Sequence, residues 1–290
     1  MKFGIDVSRW QGCSACSPAS DPIDWDKIAA QGVLFAGIRA SVGDYYVDPA
    51  FAYNFDNAVR VGILPIPYYV IKFEDDRDPA DQVNKYLEAL DGRDTWVEAA
   101  DIEVASPDGF SKTKYGQWTY YVMRDIEGAT DAQQIIYTRK SFWDANMPSR
   151  FLKNFNEYGL WVADYGWYND GMWPPDHQPN APDFPRVPDI WEAAKVDGKA
   201  PSVVQYADNG RLPDMSAIAS KEIDLNFMED GPYAIWRLRS GIPEPNPSPI
   251  PPPSPEPDPE PDPTPDPTPT PDPDQDIIGW VPVYKNKGQA

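Results

Sequence analysis

The chain has 290 residues, is 41% hydrophobic with 11 Trp, 16 Tyr and 11 Phe, and carries a formal net charge of -21. That length and apolar content allow one large or two small domains with a sizeable core. The acidity excludes nucleic acid as a partner and disfavours anionic membranes, and a lone His177 excludes Ser–His triads and poly-His metal sites.

The N-terminus, Met1-Lys2-Phe3-Gly4-Ile5-Asp6, has no apolar h-region, and no apolar run is long enough to span a bilayer. A soluble protein made in the cytoplasm is therefore expected. Phe3 to Ser8 alternates apolar with small or polar residues and predicts a first strand ending at Asp6 and Ser8. Cys13 and Cys16 follow in a loop, as a loop staple or as two free thiols. Asp24 caps a short helix through Trp25, Ile28 and Ala29, which ends at Gly32. Val33 to Ala40 predicts a second, buried strand. Pro49 to Val61 predicts a helix that stops at Gly62.

Ile63 to Ile71 predicts a third strand, with Pro65 and Pro67 near its start. Pro79 opens a helix whose Val83, Tyr86, Leu87 and Leu90 share one face, closed by Gly92. Trp96 to Glu103 predicts strand four, Lys114 to Ile126 a helix ending near Gly128, and Gln134 to Tyr137 strand five. This alternation calls for a parallel sheet with helices outside it. Beyond it the alternation decays. Leu160 to Ala163, Val203 to Tyr206 and Ile223 to Phe227 predict three more strands. A long loop lies between Gly166 and about Pro188, and Asp208-Asn209-Gly210 reads as a turn.

The fold class is thus α/β, an irregular TIM-like barrel of five βα units followed by three strands. It fills one barrel domain over 1–242. Residues 243–275 are an acidic proline-rich linker, expected as a disordered, extended polyproline II spacer of roughly 3.1 Å per residue. Residues 276–290 are a short segment whose Ile277 to Tyr284 run is either a disordered remnant or a peptide that docks to a protein partner.

In such a barrel the site lies at the C-terminal strand ends. Asp101 and Glu103 share one strand face with Ile102 on the other. Two like charges that close cannot both ionise freely, so one leans towards its protonated form. An acid beside an anion is what glycosidic cleavage needs, although Asp-x-Glu alone is a common tripeptide. Closure of the barrel makes strands one and eight neighbours, which brings Asp6 to Asp224 across the mouth from Asp101 and Glu103. Arg39, Tyr68, Tyr69, Tyr137, Trp161, Tyr165, Gln205, Tyr206 and Asn226 fall at the same ends as candidate substrate contacts. For the aromatic residues the alternative is core or rim packing, and for Arg39 a structural ion pair.

Gly4-Ile5-Asp6-Val7-Ser8-Arg9-Trp10-Gln11-Gly12, Asp101-Ile102-Glu103, Leu160 to Tyr165, Gln205-Tyr206 and Asp224-Leu225-Asn226 together resemble the muramidases of glycoside hydrolase family 25. The resemblance runs from about Phe3 to Phe227. It implies hydrolysis of the β-1,4 bond between N-acetylmuramic acid and N-acetylglucosamine in bacterial peptidoglycan, with no cofactor or metal. It implies Glu103 as general acid, with Asp101, Asp6 and Asp224 holding charge and orientation. Arg9 stands where the family often has His, and the cysteine loop is longer than the family's. The expected setting is the bacterial wall, reached after release, as in lysis of a phage-infected host. The alternative is a glycan-binding barrel with little turnover, tethered to an assembly by its proline tail.

Overall fold

The computed structural model describes residues 2–73, 77–105, 111–148, 151–155, 158–165, 202–243 and 245. The expected loop from Gly166 to Pro188 and the linker and terminal segments beyond Gly241 lie almost wholly outside these residues.

Nine strands form one sheet: β1 (Lys2–Val7), β2 (Phe35–Val42), β3 (Tyr46–Val47), β4 (Leu64–Val70), β5 (Val97–Asp101), β6 (Gln133–Thr138), β7 (Gly159–Ala163), β8 (Val203–Gly210) and β9 (Ile223–Met228). β1 pairs with both β2 and β9, so the sheet closes into an eight-stranded barrel with the short β3 attached to β2. Pairing is parallel from β1 through β2, β4, β5, β6 and β7 to β8, and antiparallel where β9 closes the ring. The expected barrel is therefore present.

Side chains along each strand alternate between two cores, as the pleat requires. Phe35, Leu64, Ile66, Val97, Ala99, Ile135, Trp161, Val203 and Met228 fill the interior. Ile5, Val7, Ala36, Ile38, Ala100, Ile136, Val162, Leu225 and Phe227 face outward into the layer covered by helices. The helix α1 (Trp25–Ala30) is capped by Asp24, whose side chain accepts from the Lys27 N–H. In α2 (Phe51–Arg60) the buried residues Phe51, Asn54, Phe55 and Ala58 recur at helical spacing. In α3 (Pro79–Leu90) Asp78 caps the start, Pro79 occupies the first turn, and Asp91 and Gly92 leave in positive-φ conformations.

Several boundaries differ from expectation. α4 (Lys112–Thr130) starts earlier, capped by Ser111, and runs through Gly128, which does not take a positive φ, to stop where Asp131 takes the left-handed cap. β8 continues through Asp208-Asn209-Gly210, where a turn was expected. Gly210 still pairs with Ile223, across two register shifts that carry the antiparallel pair onward. β5 ends at Asp101, so Glu103 stands just past the strand. Pro65 and Pro67 sit inside a paired strand, β4, opposite Ala36 and Ile38.

Short helices α5 (Lys140–Asn146) and α6 (Leu152–Phe155) follow β6, and α7 (Asp230–Ser240) follows β9. α7 seals the N-terminal end of the barrel. Its buried Tyr233 and Trp236 join the interior core, and Arg237 donates to the carbonyls of Gly62 and Leu34 at 2.7 and 3.3 Å, just before β4 and β2. With that end closed, the opposite mouth is left for a ligand. Cys13 and Cys16 form a disulfide, the loop staple of the two readings.

Candidate active site

A cavity of about 230 Å³ opens at the C-terminal mouth, lined by Asp6, Tyr68, Asp101, Glu103, Tyr137, Arg139, Trp161, Tyr165, Gln205 and Asp224. Its floor follows from one small residue. A Cβ on Gly37 would lie 2.3 Å from Cη2 of Trp161, so only glycine lets the indole lie across the barrel. The indole Nε1–H donates to Asn226 Oδ1 at 2.9 Å, which fixes the ring and the amide together.

Asp6 and Asp224 face each other in register across the antiparallel β1–β9 pair. Asp6 Oδ2 accepts from Gln205 Nε2 at 2.9 Å and from Asn226 Nδ2 at 2.8 Å. Burial raises Asp6 above the usual carboxylate range, while the bonds from Asn226, Gln205 and Asp224 oppose the rise. Burial and the neighbouring Asp6 charge push Asp224 up to about 10. Both carboxyls of the pair are thus pushed towards their protonated forms, Asp224 the more strongly. Gln205 Oε1 accepts from the hydroxyls of Tyr137 and Tyr165, both at 2.8 Å, which ties that wall together.

The other wall is less satisfied. Asp101 ends β5 and is buried, and its Oδ1 has no hydrogen-bond partner among the described residues. Burial first, then the charges of Glu103 and Asp6, raise it well above the usual range, against the pull of Arg39 and Lys72. Glu103 stands at the rim with its side chain 35% exposed, and Arg139 Nη2 approaches its Oε2 at 3.4 Å. Among the described residues no group of three or more His, Cys, Asp or Glu is placed to hold a metal ion.

The four expected carboxylates thus meet in one cavity, together with Tyr68, Tyr137, Trp161, Tyr165 and Gln205. Asn226 lies beneath them, buried, as a support for Asp6. Three further candidates, like Asn226, do not line the cavity. Tyr69 points outward, where its hydroxyl donates to Gln134 Oε1 at 2.8 Å and its ring packs on Tyr86. Tyr206 also faces the outer core, beside Phe227. Arg39 is held by Asp48 at 2.8 Å in an ion pair, although its charge is felt at Asp101. Strand alternation explains both tyrosines: Tyr68 and Gln205 point in, so their neighbours point out. Arg139 was not among the candidates. Its signal was its position directly after β6, the same criterion that selects the carboxylates.

Carboxyl groups gathered at the open mouth of a closed α/β barrel are laid out for acid–base work on a glycosidic bond. The chain belongs to the glycosyl hydrolases family 25, whose model matches residues 5–215. Among curated relatives, uncharacterized protein YegX of Escherichia coli K12 is 29% identical over 180 residues, 58% of this chain and 59% of that protein. Lysozyme M1 of Streptomyces globisporus is 30% identical over 171 residues, 56% of this chain and 54% of that one. The match thus spans well under two thirds of either relative. The crystal structure of the bacterial lysozyme from Streptomyces coelicolor superposes with a TM-score of 0.61 at 22% identity, covering 83% of this chain and 98% of that chain. That likeness is one of fold.

Proposed function

We propose that this barrel is a muramidase that cleaves the β-1,4 bond between N-acetylmuramic acid and N-acetylglucosamine in bacterial peptidoglycan. Membership of family 25 and the likeness to a protein named lysozyme support the reaction class. The observation that carries the residue roles is the contrast between rim-exposed Glu103 and buried Asp101, whose Oδ1 has no partner among the described residues.

In this reading Glu103 delivers a proton to the glycosidic oxygen as the bond to the anomeric carbon breaks. The acetamide carbonyl of the same sugar attacks that carbon, and Asp101 Oδ1 accepts the acetamide N–H, which orients the group and steadies the charge it gains. Water then opens the cyclic intermediate and returns the proton to Glu103. Asp6, held by the amides of Gln205 and Asn226, presents its carboxyl at a fixed place on the opposite wall. Tyr68, Tyr137 and Trp161 offer ring faces and edges to a sugar.

The test is release of reducing ends from purified bacterial walls. Glu103→Gln, which keeps shape and removes the proton, is expected to lower the rate by about 10²–10⁴-fold with an unchanged melting temperature. A variant that clears walls as fast as the parent ends the assignment of Glu103. A parent that cleaves no wall supports the glycan-binding barrel instead.

A further inference from the structure

We propose that Arg139 recognises a substrate carboxylate and so makes this site prefer an anionic glycan to a neutral one. The inference rests on the peptidoglycan reading above. Asp6, Asp101, Glu103 and Asp224 line the cavity, and Arg139 is the one cation among its described lining residues. An anion entering so acidic a cavity meets repulsion unless a cation receives it. Peptidoglycan brings such anions, either on its stem peptides or on a lactyl group freed of peptide.

The Arg139 side chain is placed for that task. It is 52% exposed, and its approach to Glu103, at 3.4 Å, is longer than a firm charge-assisted bond of roughly 2.7–2.9 Å. A guanidinium has five donors in a planar fork, suited to a carboxylate. Arg139 and Tyr165 also line a second cavity of about 420 Å³ next to the first. Arg139 therefore stands between the two cavities, on the Glu103 side. Lys140, on the same wall of the second cavity, is paired with Asp144 at 2.9 Å, which leaves Arg139 as the cation best placed to change partners.

The experiment compares the full chain with Arg139→Gln on three soluble wall glycans. The first carries intact stem peptides. The second has been stripped by an amidase, leaving lactyl carboxylates. In the third those carboxylates are converted to neutral amides. The parent is expected to show a kcat/KM about five- to tenfold lower on the neutral glycan, carried by KM. Arg139→Gln is expected to lose about the same factor on a charged glycan and to stop discriminating. A loss confined to the first glycan assigns the stem peptide as the source of the anion, and one confined to the second assigns the lactyl group. Equal losses on charged and neutral glycans would mean that Arg139 acts only through Glu103, and that overturns the proposal. So does a variant as fast as the parent on all three. Calorimetric binding of Glu103→Gln protein, with and without Arg139→Gln, reads the same contrast without turnover. If no glycan is cleaved, the muramidase reading falls, and this arm still decides the role of Arg139.

Discussion

Asp6 and Asp224 form one wall of the cavity, and Asp101 and Glu103 form the other, and the two walls reach their acidity by different routes. The first pair is set by sheet closure: two antiparallel strands place the residues opposite each other, and amides from Gln205 and Asn226 surround Asp6. The second pair is set by one local stretch of chain, two positions apart, with Asp101 buried and Glu103 at the rim. The first wall satisfies its own charge. The second leaves Asp101 Oδ1 without a partner among the described residues. Leaving a buried acceptor unpaired costs about 1–3 kcal/mol, a cost that a bound acetamide N–H would relieve. A satisfied wall stays fixed, and in the proposed reaction the unsatisfied one is completed by substrate.

The sharpest way to break this contrast is Asp101→Asn. It removes the ionisable group and keeps the shape. Wall hydrolysis is expected to fall about 10²–10³-fold in kcat, as when a transition-state partner is lost. The melting temperature is expected to hold or rise, because the substitution removes a buried ionisable group that burial disfavours. Measuring both on one preparation separates function from folding. A variant that is slow and also markedly less stable would place Asp101 in the structural class and erase the difference between the walls.

A second test addresses the satisfied wall through pH. Asp224 is pushed up to about 10, so the folded state keeps a proton that the unfolded chain releases near the ordinary aspartate value of 3.8. Stability from this group is fully present below the unfolded value and is lost as pH rises towards the folded one. Asp224→Asn keeps a donor to Asp6 and cannot ionise. It is expected to flatten the fall of melting temperature between about pH 5 and pH 9, with a gain of about 1–2 kcal/mol at the alkaline end. An unchanged slope would show that Asp224 does not hold this proton in the folded state.

These walls were unequally legible in the sequence. The barrel through β6 could be read because its strands and helices obey different periods and because Gly62, Gly92 and Pro79 punctuate them. Asp101 and Glu103 were legible as a pair because two-residue spacing is a local property. The approach of Asp6 to Asp224 depended on inferring closure, which the β1–β9 pairing supplies. α7 was not read, since only Tyr233 and Trp236 of its length are buried and Gly231 and Pro232 open it. Arg139 was passed over because a single basic residue after a strand has no pattern; its meaning comes from four carboxylates brought near it by other strands.

The smallest expected effect concerns adjacent residues that alternation separates. Tyr68 lines the cavity, whereas Tyr69 lies on the outer face, where its hydroxyl donates to Gln134 Oε1. Gln134 Nε2 in turn donates to buried Glu98 at 2.6 Å, and Thr95 and Thr130 donate to the same carboxyl. Tyr69→Phe removes one bond from this network and leaves the ring against Tyr86. It is expected to cost about 1 kcal/mol of stability, read by denaturant unfolding, with kcat and KM unchanged on walls. Tyr68→Phe changes a polar atom facing the carboxylates and is expected to raise KM by a few-fold, with stability nearly unchanged. If Tyr69→Phe altered KM and Tyr68→Phe altered only stability, the inward and outward faces of β4 would be exchanged. A one-residue slip of that strand would turn every side chain on it to the other side, so this pair of mild substitutions tests the register on which the cavity wall depends.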